Sequence, residues 1–224
     1  GPGTPGNTYG GAGHAGEGSA GAGHAGGPAY GDLAAPFQPG SGGGTESDAG
    51  EGGGAIRIVA SGCVTVEGIL RANGHKWYST HGPGGSGGSI WISCDTLAGA
   101  GLVQARGGDG HYLGGAGSGG RIALDYNSAS QASCSEPVPA VRFDGLPGAP
   151  ESRNLDRFPA GLGSLWLPDR LWLDAPLSGK RLYGVRLCLP EWSLWETDDL
   201  KLDDCIVGLH PGVGLNITNH LVLT

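Results

Sequence analysis

The 224-residue sequence contains no methionine and only three phenylalanines, so any core must be assembled from aliphatic residues and a few tryptophans. Charge is scarce as well. Lys, Arg, Asp and Glu make up 15% of the chain, against about 25% in an ordinary soluble domain. The 13 basic residues are scattered and the formal net charge is −8, which excludes the basic stripe that nucleic-acid binding requires. No apolar run approaches the ~18 residues of a membrane span. No Cys-x-x-Cys pair occurs, so zinc-finger and thioredoxin chemistry lack their signature. The glycine clusters at 84–88 and 117–120 lack the Gly-Lys-Ser/Thr ending of a phosphate loop, and strand patterns follow them where a helix should begin.

What is abundant is glycine. Its 48 copies argue against helices, where each costs about 1 kcal/mol relative to alanine. So much glycine suits a backbone that turns often or packs against other backbone. The glycines are not spread evenly. Residues 1–54 are low in complexity, with Gly11-Ala12-Gly13-His14-Ala15-Gly16 recurring as Gly21-Ala22-Gly23-His24-Ala25-Gly26. Ordinary core packing cannot offset the ordering entropy of this stretch. It is therefore expected to be either disordered or packed as extended, polyproline II-like segments. Collagen is excluded, because glycine does not hold every third position.

Residues 55–126 carry a repeat. Gly53-Gly54-Ala55-Ile56-Arg57-Ile58 returns as Gly87-Gly88-Ser89-Ile90-Trp91-Ile92, and again as Gly119-Gly120-Arg121-Ile122-Ala123-Leu124. Between these copies, Thr65 to Ala72 corresponds to Thr96 to Ala105. The alternating apolar residues have strand periodicity. A unit this thin cannot bury its own apolar face and must stack on its neighbours, so the expected fold is all-β: a glycine-rich repeat solenoid or parallel β-helix. Residues 127–160, with Pro137, Pro139, Pro147 and Pro150, read as a Pro/Ser/Gly-rich connection. Residues 161–224 read as a further β-helical or β-sandwich segment. Within it Leu200-Lys201-Leu202 and Leu221-Val222-Leu223 are spaced like one turn of a parallel β-helix. The missing methionine and the unclosed strand pattern at the end are what an excerpt from a longer chain would show.

The repeat motifs resemble those of glycine-rich secreted repeat proteins of bacteria and flagellated protists. The similar residues are Gly87 to Ile92, Leu97 to Ala105 and Gly114 to Tyr126, with Gly26 to Asp32 and Gly42 to Gly44 upstream. The resemblance covers roughly half of the chain and stops before Gly161. It implies an extracellular filament, sheath or mastigoneme-like surface glycoprotein, and it carries no catalytic motif.

Candidate sites are few. In a secreted chain disulfides are expected, with Cys63–Cys94 and Cys188–Cys205 as the expected pairs and Cys134 left over. Asn216-Ile217-Thr218 is a glycosylation acceptor sequence. Trp77 and Tyr78 interrupt a polar loop, and Trp192 and Trp195 lie in the tail; all four are candidates for contacts with glycans or other subunits. Asp198-Asp199 and Asp203-Asp204 are the only tight acidic pairs, and strand geometry would split each pair between opposite faces. His14, His24, His75, His81 and His111 lack metal-ligand spacing, and Gly107-Gly108-Asp109-Gly110 occurs once without a second carboxylate. No catalytic residue, metal or cofactor is assigned. The expectation is an extracellular structural segment that self-assembles or joins other subunits of a fibre. The alternatives are a carbohydrate- or host-binding adhesin module and, third, a polysaccharide-cleaving enzyme.

Overall fold

A computed structural model describes residues 9–44, 49–78, 82–150, 159–173, 177–189, 194–211 and 213–224. Thirteen strands and one short helix follow in chain order: β1 Ala55–Val59, β2 Cys63–Thr65, β3 Ile69–Arg71, β4 Ser89–Cys94, β5 Thr96–Ala98, β6 Leu102–Gln104, β7 Arg121–Tyr126, α1 Ser128–Ala132, β8 Arg142–Asp144, β9 Gly163–Trp166, β10 Leu182–Cys188, β11 Leu194–Leu202, β12 Ile206–Leu209 and β13 Gly214–Leu223. The fold is all-β, and among the described residues every pairing between these strands is parallel.

The main sheet is curled into a half-barrel. Its order is β1-β4-β7-β9-β10-β8-β6-β3, with β12 also on β10. One wall is β1-β4-β7-β9 and a second is β3-β6-β8. The pair β2-β5 forms a short third wall. β10 joins the first two walls by serving both: Leu182 and Tyr183 pair with β8, while Val185 to Cys188 pair with β9. The corner between these halves is Gly184, whose φ of +71° is a left-handed conformation that a side chain would oppose.

The repeated motifs set the register. Ile56, Ile90, Ile122 and Leu165 lie side by side across four strands, as do Ile58, Ile92 and Leu124. Their side chains fill the interior with Val103, Phe143 and Leu187, and Phe143 stacks at a tilt on Trp172 with ring centroids 5.3 Å apart. On the third wall Cys63 lies opposite Thr96 and Thr65 opposite Ala98. The likeness of Thr65 to Thr96 seen in the sequence is therefore slipped by two residues, which leaves the same side chains inward because the strand period is two.

The wall β2-β5 ends on a side chain instead of a strand. Gln131, fully buried on α1, accepts a 2.7 Å hydrogen bond from the Leu97 N–H and donates a 3.1 Å bond to the Leu97 carbonyl. Its amide thus replaces the backbone of the strand that would come next. Asn127 caps α1, its side chain accepting from the Ala129 and Ser130 N–H groups. The stretch expected to be a connection, 127–160, in this way supplies both α1 and β8 to the stack.

The glycine-rich segments pack outside the strands. Their backbone bonds have a three-residue period. Gly84 and Gly87 donate to Gly115 and Ser118, Gly85 and Gly88 donate to His75 and Ala72, and Ser86 donates to Ser41. Around a neighbouring segment the pattern repeats: Gly115 and Ser118 donate to Tyr9 and Ala12, Gly117 and Gly120 to Gly108 and Ala105, and Gly119 to Gly161. Three residues per turn with no internal bonds is the habit of a polyproline II-type chain, and here each turn directs its donors to three different neighbours. Glycine is required by contact: a Cβ on Gly11 would collide with the Ala116 carbonyl, and one on Gly85 with that of Glu51. The described part of residues 1–54 is therefore packed, which is the second of the two states expected for it.

Candidate functional site

Arg121 and His14 fasten the N-terminal glycine segment to the strands. The Arg121 side chain is buried. It donates to the carbonyls of Tyr30 (2.7 Å) and His14 (3.2 Å) and to the Ser164 hydroxyl (3.4 Å). Burial pulls its pKa down. The His14 backbone N–H donates to the Ser118 hydroxyl oxygen at 2.9 Å, and His14 Nδ1 donates to the Gly87 carbonyl at 2.7 Å. Its ring is tilted over Tyr30, with centroids 4.6 Å apart. Burial, helped by the Arg121 charge, lowers the His14 pKa to about 4 despite that carbonyl bond.

A second polar cluster runs across the ends of β3, β6 and β8. Arg71 Nε and Asn73 Nδ2 both donate to Gln104 Oε1, at 3.1 and 2.8 Å. Gln104 Nε2 donates to Asp144 Oδ2 at 2.9 Å, and Arg106 closes on the same oxygen at 2.7 Å. The Leu146 N–H donates to Asp144 Oδ1 at 3.3 Å. Asp144 is buried, and hydrogen bonding to it raises the Arg106 pKa. Beside this cluster opens a cleft of about 390 Å³ lined by Asn73, Lys76, Arg106, Asp109 and Leu146.

The tail holds a third group. Glu196, Asp198 and Asp199 line an open cleft of about 570 Å³ with Arg170 and Thr218. Asp198 and Asp199 were expected on opposite faces of a strand. A register shift between Thr197 and Asp199 places both outward, while Trp195 and Leu200 on either side point in. Each carboxylate meets β13: Asn216 donates to Glu196 at 3.3 Å, Thr218 to Asp198 at 2.6 Å, and His220 Nδ1 lies 2.9 Å from Asp199. Among the described residues no group of three or more His, Cys, Asp or Glu is arranged to hold a metal ion.

The candidates taken from the sequence fare differently. Trp77 and Tyr78 are exposed, at 37% and 77%. Trp195 is not available for contacts, being 2% exposed in the core, and Trp192 lies outside the described residues. Asn216 is exposed on β13. All five cysteines are free thiols. Cys63 and Cys94 are neighbours at the corner between the first and third walls. Burial, and after it the nearness of Cys63, raises the Cys94 pKa to about 11. The expected Cys188–Cys205 pair is ruled out by register. Ile206 lies opposite Tyr183, so Cys188 sits five residues further along β10, about 16 Å at ~3.3 Å per residue, beyond the ~7 Å reach of a disulfide. Burial raises the Cys188 pKa to about 11 as well. Composition alone missed the Arg121–His14 fastening and the Asp144 cluster. The one available sign was Arg121 itself, which follows Gly119-Gly120 where the other two copies have Ala55 and Ser89.

No protein-family model, curated protein or solved structure matches the chain.

Proposed function

We propose that this chain is a structural segment of a large extracellular protein that builds a filament, sheath or surface layer. In this reading the curled parallel sheet is the beginning of a β-helical solenoid, and the glycine segments form a rigid flank along it. The observation that carries the reading is the three-residue bonding pattern of those segments. Bonds such as Ser118 to Ala12 and Gly119 to Gly161 join stretches far apart in the chain through backbone atoms alone. Such a lattice is stiff, needs little apolar area, and presents a surface with few side chains to hinder close approach. The resemblance to secreted glycine-rich repeat proteins supports the same setting. So does the row of incompletely bonded strands: among the described residues β1, β2 and β3 each have a single strand partner. Unpaired strand edges of this kind can accept a further strand from another subunit. In an oxidising exterior the nearness of Cys63 to Cys94 supports a cross-link between them.

The test is negative-stain electron microscopy of the native protein purified from its source without reductant. Regular filaments or sheets are the expected result. Discrete monodisperse particles, unchanged by concentration, would overturn the reading.

A further inference from the structure

We infer that the cleft beside the Asp144 cluster binds an acidic saccharide, one bearing carboxylate or sulfate groups. Its volume, about 390 Å³, falls in the lower part of the ~300–1,000 Å³ range of ligand pockets. Its polar groups are fixed before any ligand arrives. Asn73 Oδ1 accepts the Arg106 N–H at 2.9 Å, and Asp109 Oδ1 accepts the Ala149 N–H at 2.8 Å. The Arg106 guanidinium is held from behind by Asp144 at 2.7 Å, while 43% of its side chain remains in solvent. Groups held this way lose little freedom on binding.

Charge and shape select the ligand. The chain carries a net charge of −8, yet Lys76 and Arg106 line this cleft and Arg71 adjoins it through Gln104. Asp144 is buried and paired, which leaves Asp109 as the one carboxylate lining the cleft among the described residues, with an oxygen already accepting a backbone N–H. An anionic group entering the cleft meets Lys76 and the exposed side of Arg106. Trp77 and Tyr78, which follow Lys76 in the chain, are exposed, with Lys76 Nζ 5.7 Å from the Tyr78 ring centroid. Exposed aromatic rings beside fixed hydrogen-bonding groups suit a sugar, whose ring has an apolar face and polar edges. An extended peptide would use an open strand edge, and this cleft is walled by loop segments instead.

This inference is independent of filament assembly, because it concerns one cleft within a single chain. The test is calorimetric titration of the chain at low salt with four probes: an oligogalacturonate, a sulfated oligosaccharide, neutral cellohexaose and a poly-glutamate peptide. Binding of at least one acidic saccharide is expected, weakening as salt is raised. Preference between the two acidic probes identifies the acidic group. Lys76→Gln and Tyr78→Ala alter exposed side chains, and circular dichroism should confirm that both variants stay folded. Each should weaken binding about tenfold, whereas Phe37→Ala, at an exposed aromatic elsewhere, should not. The inference is overturned if neither acidic saccharide binds, if cellohexaose or poly-glutamate binds as well, or if both cleft variants bind like the unaltered chain.

Discussion

The glycine-rich front of the molecule and its glycine-poor tail solve the same problem differently. In both, parallel strands stack with alternate side chains turned inward. In the front, the chain leaves the stack after β3, β6 and β8 and returns through glycine segments that bond to one another. In the tail those excursions vanish: Leu200 to Leu202 lie directly beside Leu221 to Leu223, one short pass apart. The core there is filled by Trp172, Leu173, Leu177, Trp195 and Leu200. Order in the front thus rests heavily on backbone hydrogen bonds, and order in the tail on burial of large side chains. The difference shows that glycine abundance alone does not mean disorder. When N–H donors can reach three neighbours in turn, a segment with almost no apolar area still packs.

Substitutions at the two kinds of packing would break this contrast most sharply. Gly85→Val places a branched side chain against the Glu51 carbonyl and should lower stability by about 3 kcal/mol or more. Gly54→Ala, which meets nothing within 4 Å, should stay within about 0.5 kcal/mol. Thermal denaturation of the pair measures the gap; equal melting temperatures would mean that the glycine bundle contributes nothing. On the burial side, Phe143→Ala removes the ring stacked on Trp172 and should cost about 3–5 kcal/mol in the same assay.

Acid should act on the front first. His14 titrates at about 4 in the folded chain against an ordinary 6.5, so the folded state disfavours its protonation. Its contribution is complete above pH 6.5 and is lost as pH falls toward 4, by about 3 kcal/mol at most. Urea unfolding at pH 7 and pH 4 should show a larger loss for the unaltered chain than for His14→Gln. An equal loss would place the acid sensitivity elsewhere. Between the two regions, Gln131→Ala uncaps Leu97 and should cost about 1–3 kcal/mol, with faster hydrogen exchange at the Leu97 amide as its local mark. The smallest effect belongs to the tail surface: Asp198→Ala breaks an exposed bond to Thr218 and should change the melting temperature little, by no more than about 1 kcal/mol in stability.

Much of the stack was legible in the residues. The Gly-Gly-x-Ile-x-Ile copies fall into register strand by strand, because an apolar alternation of period two can bury its residues in only one phase. The spacing of Leu200 to Leu202 and Leu221 to Leu223 likewise matched the observed pairing. The sites were far less legible. Trp195 looked like a surface aromatic and is core, on a strand whose ladder shifts register between Thr197 and Asp199, where β13 carries one residue more than β11. The same irregularity put Asp198 and Asp199 on one side. Gln131 and Asp144 stood in a stretch whose prolines suggested only a connection.

By itself, the sequence determined an all-β chain with an inward aliphatic ladder and a backbone that admits close neighbours, because periodicity and the absence of side chains are local properties. Only the tertiary structure decided which glycine segments bond to which, how the walls join at Gly184, and which polar groups converge on Asp144. The physical reason lies in the bonds themselves. Donors and acceptors on the backbone are chemically alike at every glycine, so their pairing is specified by the geometry of the strands that carry them and not by the residues that make them.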